Sequence, residues 1–210
     1  MPVGKRFFDL VSATILLGAS APVLALAAMA IYLESGRPIL FVQTRVGQQG
    51  HPFSLYKLRT LPTGPRDSTA QTPEPLWVGR WLRRWALDEL PQLWNVLRGD
   101  MSLVGPRPIL PSEARGYTER QRRRLDVPPG LTGWAQIHGR NALSWTERIE
   151  YDLWYVEQAG PWTDLKILFY TPVVLLSGTG VRGPGDRDPS TAEVRQQAEH
   201  VPSVDASPDA

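Results

Sequence analysis

Residues 10–33, LVSATILLGASAPVLALAAMAIYL, contain no charged side chain. As an α-helix this run reaches about 36 Å at about 1.5 Å per residue, enough to cross a hydrocarbon core of ~30 Å. It has no polar face, which argues against a core helix of a soluble protein. A cleavable secretory signal is the weaker alternative, because the run is long and the remainder is basic and Pro-rich. Two details bear on how the run sits. Pro22, near its middle, removes a backbone donor and kinks a helix. Lys5 and Arg6 precede it, while Arg37 and Arg45 follow, and flanking positive charge stays on the cytoplasmic side. A helix broken at Pro22 that enters and leaves by one face satisfies both. A kinked spanning helix is the alternative.

Charge is divided unevenly along the chain. Residues 183–210 carry six acids and two bases, while the whole chain is at +2, so the other 182 residues hold about +6. A basic body suits an anionic membrane face, a phosphate-bearing substrate or nucleic acid. The acidic, Pro- and Ser-rich tail at 183–210 is expected to be disordered. There is no cysteine, and the histidines (His51, His138 and His200) lack metal-ligand spacing. Thiolate chemistry is excluded, and a His-based zinc site is disfavoured.

Residues 39–60 predict a β-hairpin around the turn GQQG. Lys57 and Arg59 share a face near its end, either as a solvated basic edge or as cations aimed at a phosphate. A polar, Pro-rich loop follows at 61–75. Trp77, Trp81 and Trp85 then recur every four residues beside Arg80, Arg83 and Arg84, a stripe that belongs either to a buried core face or, next to arginines and a membrane segment, to an interfacial helix. Asp88 is expected to cap a further helix carrying Leu90, Leu93, Trp94 and Leu97 on one face, with Gly99 as its stop. SLVGPRP reads as a rigid turn presenting Arg107. Residues 112–125 predict a basic helix, solvated or in contact with anionic lipid. VPPGLTGWAQIHGRN (127–141) reads as a loop ending near Arg140. SWTE at 144–147 is a capping box opening a helix to about Gln158. The apolar stretch 165–178, with Pro172 inside, is too short to span and reads as an interfacial or re-entrant piece.

The adjacent acids Asp88 and Glu89 stand among Lys57, Arg59, Arg83, Arg107 and Arg140. In the simpler case they only start a helix. In the other, an Asp held ionised by the helix dipole attacks phosphorus, while Glu89 holds Mg²⁺ against a diphosphate.

The blocks RWLRRWALDELPQLWNVLRGDMSLVGPRP and VPPGLTGWAQIHGRN resemble the bacterial sugar transferases, the monotopic polyprenyl-phosphate phosphoglycosyl transferases. ESGRPILFVQTRVGQQGHPFSLYKLRT and KRFFDLVSATILLGASAP are similar to two further blocks of that family. The resemblance spans roughly residues 4–178 and implies the minimal, single-domain form. It implies a mixed α+β, mostly helical fold: a re-entrant membrane helix (1–36) and a cytoplasmic catalytic domain with interfacial helices (37–182). It also implies a ping-pong reaction at the cytoplasmic face of the bacterial inner membrane, where Asp88 takes a phosphosugar from a UDP-sugar, releases UMP and passes the phosphosugar to polyprenyl phosphate. The product would begin a surface glycan. Glu89 matches the acid associated with Mg²⁺. Arg83, Arg107 and Arg140 match arginines around the phosphates, and Lys57 and Arg59 match less closely. The family's helix breaks at a Ser-Pro pair; here Ala21 precedes Pro22 and the serine is Ser20. A non-catalytic basic membrane adaptor is the competing reading, though it gives the paired acids no role. A nucleic-acid binder is disfavoured by the apolar run.

Overall fold

The computed structural model describes residues 1–63, 74–139 and 142–177. The middle of the expected 61–75 loop, Arg140 and the acidic tail lie outside the described residues. Among the described residues the fold is mostly helical, with two small sheets.

Helix α1 spans Val3–Ser35. Helical structure continues through Pro22, so the expected break does not interrupt the helix, and the proline acts as a bend point inside one helical element. Proline at this position forfeits the one bond to the carbonyl four residues earlier, and the Ala- and Leu-rich flanks on both sides favour helix. The Ser20 hydroxyl donates to the Leu17 carbonyl at 3.2 Å.

Both ends of α1 dock on the same folded body. Near its start, Arg6 donates to the Val96 and Leu97 carbonyls at 2.6 and 2.8 Å, and Asp9 accepts from the Leu103 amide at 3.1 Å. Lys5 bonds Asp164 at 2.5 Å and the Val104 carbonyl at 3.2 Å. Near its end, Ala27 and Ile31 pack with Leu58, Leu76 and Leu82. Between these anchors the apolar surface, including Ile15, Leu16, Val23 and Leu26, is exposed.

Strands β1 (Leu40–Val46) and β2 (Pro52–Leu58) form the expected hairpin, with Leu40 opposite Leu58 and Val46 opposite Pro52. Its turn places Gln49 and Gly50 in succession at positive φ (55° and 82°), a geometry that glycine adopts without strain. Helix α2 (Trp77–Arg84) leaves Trp77 64% and Trp81 53% exposed, while the third tryptophan of the stripe, Trp85, caps its end and is half-buried. Helix α3 covers Gln92–Arg98 and ends at Gly99 with φ 92°.

Four expectations for the central chain change. Helix α3 begins at Gln92 rather than Asp88, because Ala86 at φ 53° turns the chain into a separate single 3₁₀ turn, Leu87–Glu89. Trp94 is 51% exposed, and the inner face of α3 carries Leu93, Asn95 and Val96 instead. The expected helix at 112–125 is divided into α4 (Pro111–Arg115), α5 (Glu119–Arg122) and a 3₁₀ turn at Arg123–Leu125. Of its arginines only Arg124 turns inward, to Asp152, while Arg120 and Arg123 stay on the solvated surface and pair there with Glu150 and Glu157.

The fourth change is a second sheet. Strand β3 (Ser102–Val104) runs parallel to β4 (Gly130–Thr132), joining the SLVGPRP and PPGLTG segments. Backbones approach too closely here for side chains. A Cβ at Gly130 would lie 2.1 Å from the Gly105 nitrogen, and one at Gly133 would lie 2.2 Å from the Gly105 oxygen.

Three helices complete the fold: α6 (Trp134–His138), α7 (Trp145–Gln158) and α8 (Pro161–Ser177). The predicted capping box opens α7: Ser144 Oγ accepts from the Glu147 amide at 3.3 Å, and the Glu147 carboxylate accepts from the Ser144 amide at 2.9 Å. Helix α8 buries Asp164 and Ile167 and exposes Trp162, Leu165, Phe169, Val173 and Leu176. The main core gathers Leu55, Leu93, Val96, Met101, Leu103, Val104, Trp134, Tyr155 and Ile167, with Ala13 of α1 packed among them.

Candidate active site

Asp88 sits inside the 3₁₀ turn and is 4% exposed. The amides of Glu89 and Leu90 are already bonded to the Ala86 and Leu87 carbonyls, at 3.1 and 3.3 Å. The expected helix-cap anion site is therefore replaced by a side-chain site. Lys57 Nζ lies 3.4 Å from Asp88 Oδ2. Burial pushes the Asp88 pKa up, Lys57 pulls it down, Glu89 adds to the rise, and Arg83 opposes it; the net direction is up. A helix dipole holding the acid ionised is thus not the governing effect.

Glu89 is gripped by the Arg107 guanidinium through two bonds, 2.7 Å to Oε1 and 3.3 Å to Oε2. This forked geometry orients both partners. Arg83 is aligned by Thr60, its Nε donating to Oγ1 at 2.8 Å. That contact depends on Gly79: a Cβ there would lie 2.5 Å from the Thr60 carbonyl oxygen.

The structure thus brings together Asp88, Glu89, Lys57, Arg83 and Arg107. Arg59 is engaged elsewhere. It is buried and donates to the Ser35 and Gly36 carbonyls at 3.0 and 2.8 Å, and to Ser35 Oγ at 3.1 Å. It closes the C-terminal end of α1, where a cation also meets the negative end of the helix dipole. Ser20 and Pro22 lie mid-α1, away from the anchored ends.

Asn95 belongs to the site's support and went unread in the sequence. Its side chain accepts from the Tyr56 amide at 3.2 Å and donates to the Ser54 carbonyl at 2.7 Å, tying α3 to the strand that carries Lys57. A polar residue between Leu93 and Val96 on a helix flanked by glycine is the signal that marks it. Arg45, in sequence a charge flanking the apolar run, lies close to this site. Burial and the neighbouring Arg107 lower its pKa, against the pull of Glu113 and Glu89.

Among the described residues, no group of three or more His, Cys, Asp or Glu side chains could hold a metal by themselves. Mg²⁺ needs less from a protein, taking one or two carboxylates with substrate phosphate oxygens. Of the acid pair, Glu89 offers oxygens of that kind, and in this structure Arg107 bonds both of them.

Residues 2–178 match the family described as bacterial sugar transferase. The chain belongs to that family. This sugar transferase is 46% identical over 182 residues to the uncharacterized sugar transferase EpsL of Bacillus subtilis (strain 168), covering 85% of this chain and 90% of that protein. It is 45% identical over 186 residues to the UDP-glucose:undecaprenyl-phosphate glucose-1-phosphate transferase of Caulobacter vibrioides, covering 82% and 70%. The Escherichia coli (strain K12) protein of the same name is 40% identical over 184 residues, which span 80% of this chain but 39% of that one. The long apolar α1 and the exposed apolar faces of α2 and α8 make the transferase membrane-associated.

Proposed function

We propose that this sugar transferase moves a sugar-1-phosphate from a UDP-sugar to a polyprenyl phosphate, through a phosphosugar bonded to Asp88. The observation that carries the reading is a buried carboxylate with raised basicity, 3.4 Å from Lys57 and next to a Glu oriented by Arg107. Relatives named for UDP-glucose and undecaprenyl phosphate support the two substrates.

In the first half, an Asp88 oxygen forms a bond to the β-phosphorus and the bond to the UMP oxygen breaks. UMP leaves with that electron pair. In the second half, a polyprenyl phosphate oxygen attacks the same phosphorus and Asp88 departs as carboxylate, leaving a polyprenyl diphosphate-sugar. Splitting the transfer lets one site serve a soluble donor and a lipid acceptor in turn. Lys57 and Arg83 spread positive charge over the phosphoryl oxygens as they gain charge. Arg107 holds Glu89 in register beside the nucleophile. Mg²⁺, when bound, would neutralise diphosphate charge, with Glu89 as the protein ligand. Arg140 is assigned to the same phosphates by its motif alone.

The docking of both α1 ends on one body supports a helix that dips into the cytoplasmic leaflet of the inner membrane and returns. A straight 33-residue helix is about 50 Å long, so a spanning one would part its ends across the bilayer. The product would begin a surface glycan.

The test is UMP release from a panel of UDP-sugars by the membrane-embedded protein, with polyprenyl phosphate present. Trapping with labelled donor should leave a phosphosugar on Asp88. Product formation without that adduct would remove the covalent route, and silence across the panel would remove the donor class.

A further inference from the structure

The turn Pro106–Ile109 contains two prolines and so lacks two of its own amide donors. It is held from outside, by every one of its carbonyls. The Pro106 oxygen accepts from the Gly130 amide at 2.8 Å, and the Ile109 oxygen from the Val46 amide at 2.9 Å. Between them, the Arg107 oxygen accepts from Arg124 Nη2 and the Pro108 oxygen from Arg45 Nη1, each at 3.2 Å. The donors come from β1, far away in sequence, and from two neighbouring segments, the 3₁₀ turn after α5 and β4.

Arg124 is buried and aimed. Asp152 of α7 pairs with it, the Tyr117 hydroxyl lies 2.5 Å from Nη1, and its guanidinium sits 5.8 Å from both the Tyr117 and Trp145 ring centres. A buried ion pair is a costly way to gain stability, and apolar packing of equal volume does as well or better. This one ends on the main chain of the residue whose side chain grips Glu89.

We propose that Arg124, oriented by Asp152, and Arg45 are positioning residues for the transfer. They clamp the carbonyls of Arg107 and Pro108 and so aim the Arg107 guanidinium at Glu89. Neither acts on substrate in this role. The proposal rests on the functional reading above.

A double-mutant cycle tests it. Arg124→Lys keeps the charge but loses the fork that spans Asp152, Tyr117 and the Arg107 carbonyl. In the native background it should lower kcat by about tenfold to 10²-fold, the scale of a misplaced reacting group, with KM for the UDP-sugar little changed. In an Arg107→Lys background the same change should cost less than about threefold, because its route is already cut. Full additivity would overturn the proposal. If Arg124→Lys does not fold, Arg45→Lys enters the same cycle with the same criterion.

A second readout needs no turnover. Hydrogen exchange at the Gly130 and Val46 amides should quicken in Arg124→Lys or Arg45→Lys while Tm stays within a few degrees. Unchanged protection of both amides would equally overturn the clamp. If the unmodified protein released no UMP, the functional reading would fail, and exchange alone would decide whether the clamp exists.

Discussion

Asp88 is held in conflict. Burial raises its pKa, which disfavours the charged form, while Lys57 and Arg83 partly offset that. Because the folded state keeps a proton that the unfolded chain gives up earlier, stability is greatest below the ordinary Asp value of 3.8 and falls as pH rises through the raised folded value. Asp88→Asn should therefore melt no lower than the native protein at pH 7, with an advantage that shrinks as pH approaches 4. Turnover of that variant should drop by about 10⁴-fold or more, since the nucleophile is gone. Calorimetry and UMP release check the two halves, and a large fall in Tm at pH 7 would contradict the buried-charge account. The native activity should fall on acidification at a pH above 3.8, as the carboxylate takes up its proton. Arg59 makes the opposite case. Its bonds go to the end of α1, so Arg59→Gln should lower stability by about 2–4 kcal/mol, the loss of several charged hydrogen bonds, and leave KM for the donor nearly unchanged. A selective rise in that KM would return Arg59 to the phosphates. Sequence alone paired Lys57 with Arg59 because alternation puts them on one face. The strand ends at Leu58, and past its end alternation no longer governs direction.

At the scale of elements, α2 is placed by a missing side chain. Gly79 lets the helix rest on Thr60, whose carbonyl accepts from the Leu76 amide at 3.0 Å and whose hydroxyl aligns Arg83. Gly79→Ala gains helix propensity, yet a Cβ 2.5 Å from a carbonyl oxygen forces α2 away. We expect a net loss of about 1–3 kcal/mol in urea unfolding and a lowered kcat, because Arg83 moves with its helix. A stabilised or fully active variant would show that α2 is free to shift. The hairpin and the α7 capping box were readable, since turn chemistry and capping are local. The β3–β4 pair was not. Each strand has three residues and no alternation to read, and their pairing rests on the close approach of Gly105 to Gly130 and Gly133, which lie far from it in the chain.

Over the whole molecule, α1 is both the membrane element and part of the core. Ala13 packs with Leu93 and Trp134, whereas Ala27 and Ile31 pack with Leu58 and Leu82. The chain has no cysteine, so single-cysteine variants give a clean topology test. Val3→Cys and Leu33→Cys lie at exposed positions near the two ends of α1 and should be labelled by an impermeant reagent from the same side of oriented vesicles. Labelling from opposite sides would mean a spanning helix and would contradict the docking of both ends. The apolar run, the basic body and the motif blocks placed the chain at a membrane with an acid pair for phosphate chemistry. Those properties follow from composition and local order, which need no folded partner to be expressed. Folding alone decided which cations serve Asp88 and Glu89, that Arg59 closes a helix, and that Arg124 lies buried against Asp152. Such roles depend on contacts between residues tens of positions apart. A basic residue reads alike in sequence whether it meets solvent, substrate or a buried acid, and only the burial and distance imposed by packing separate the three.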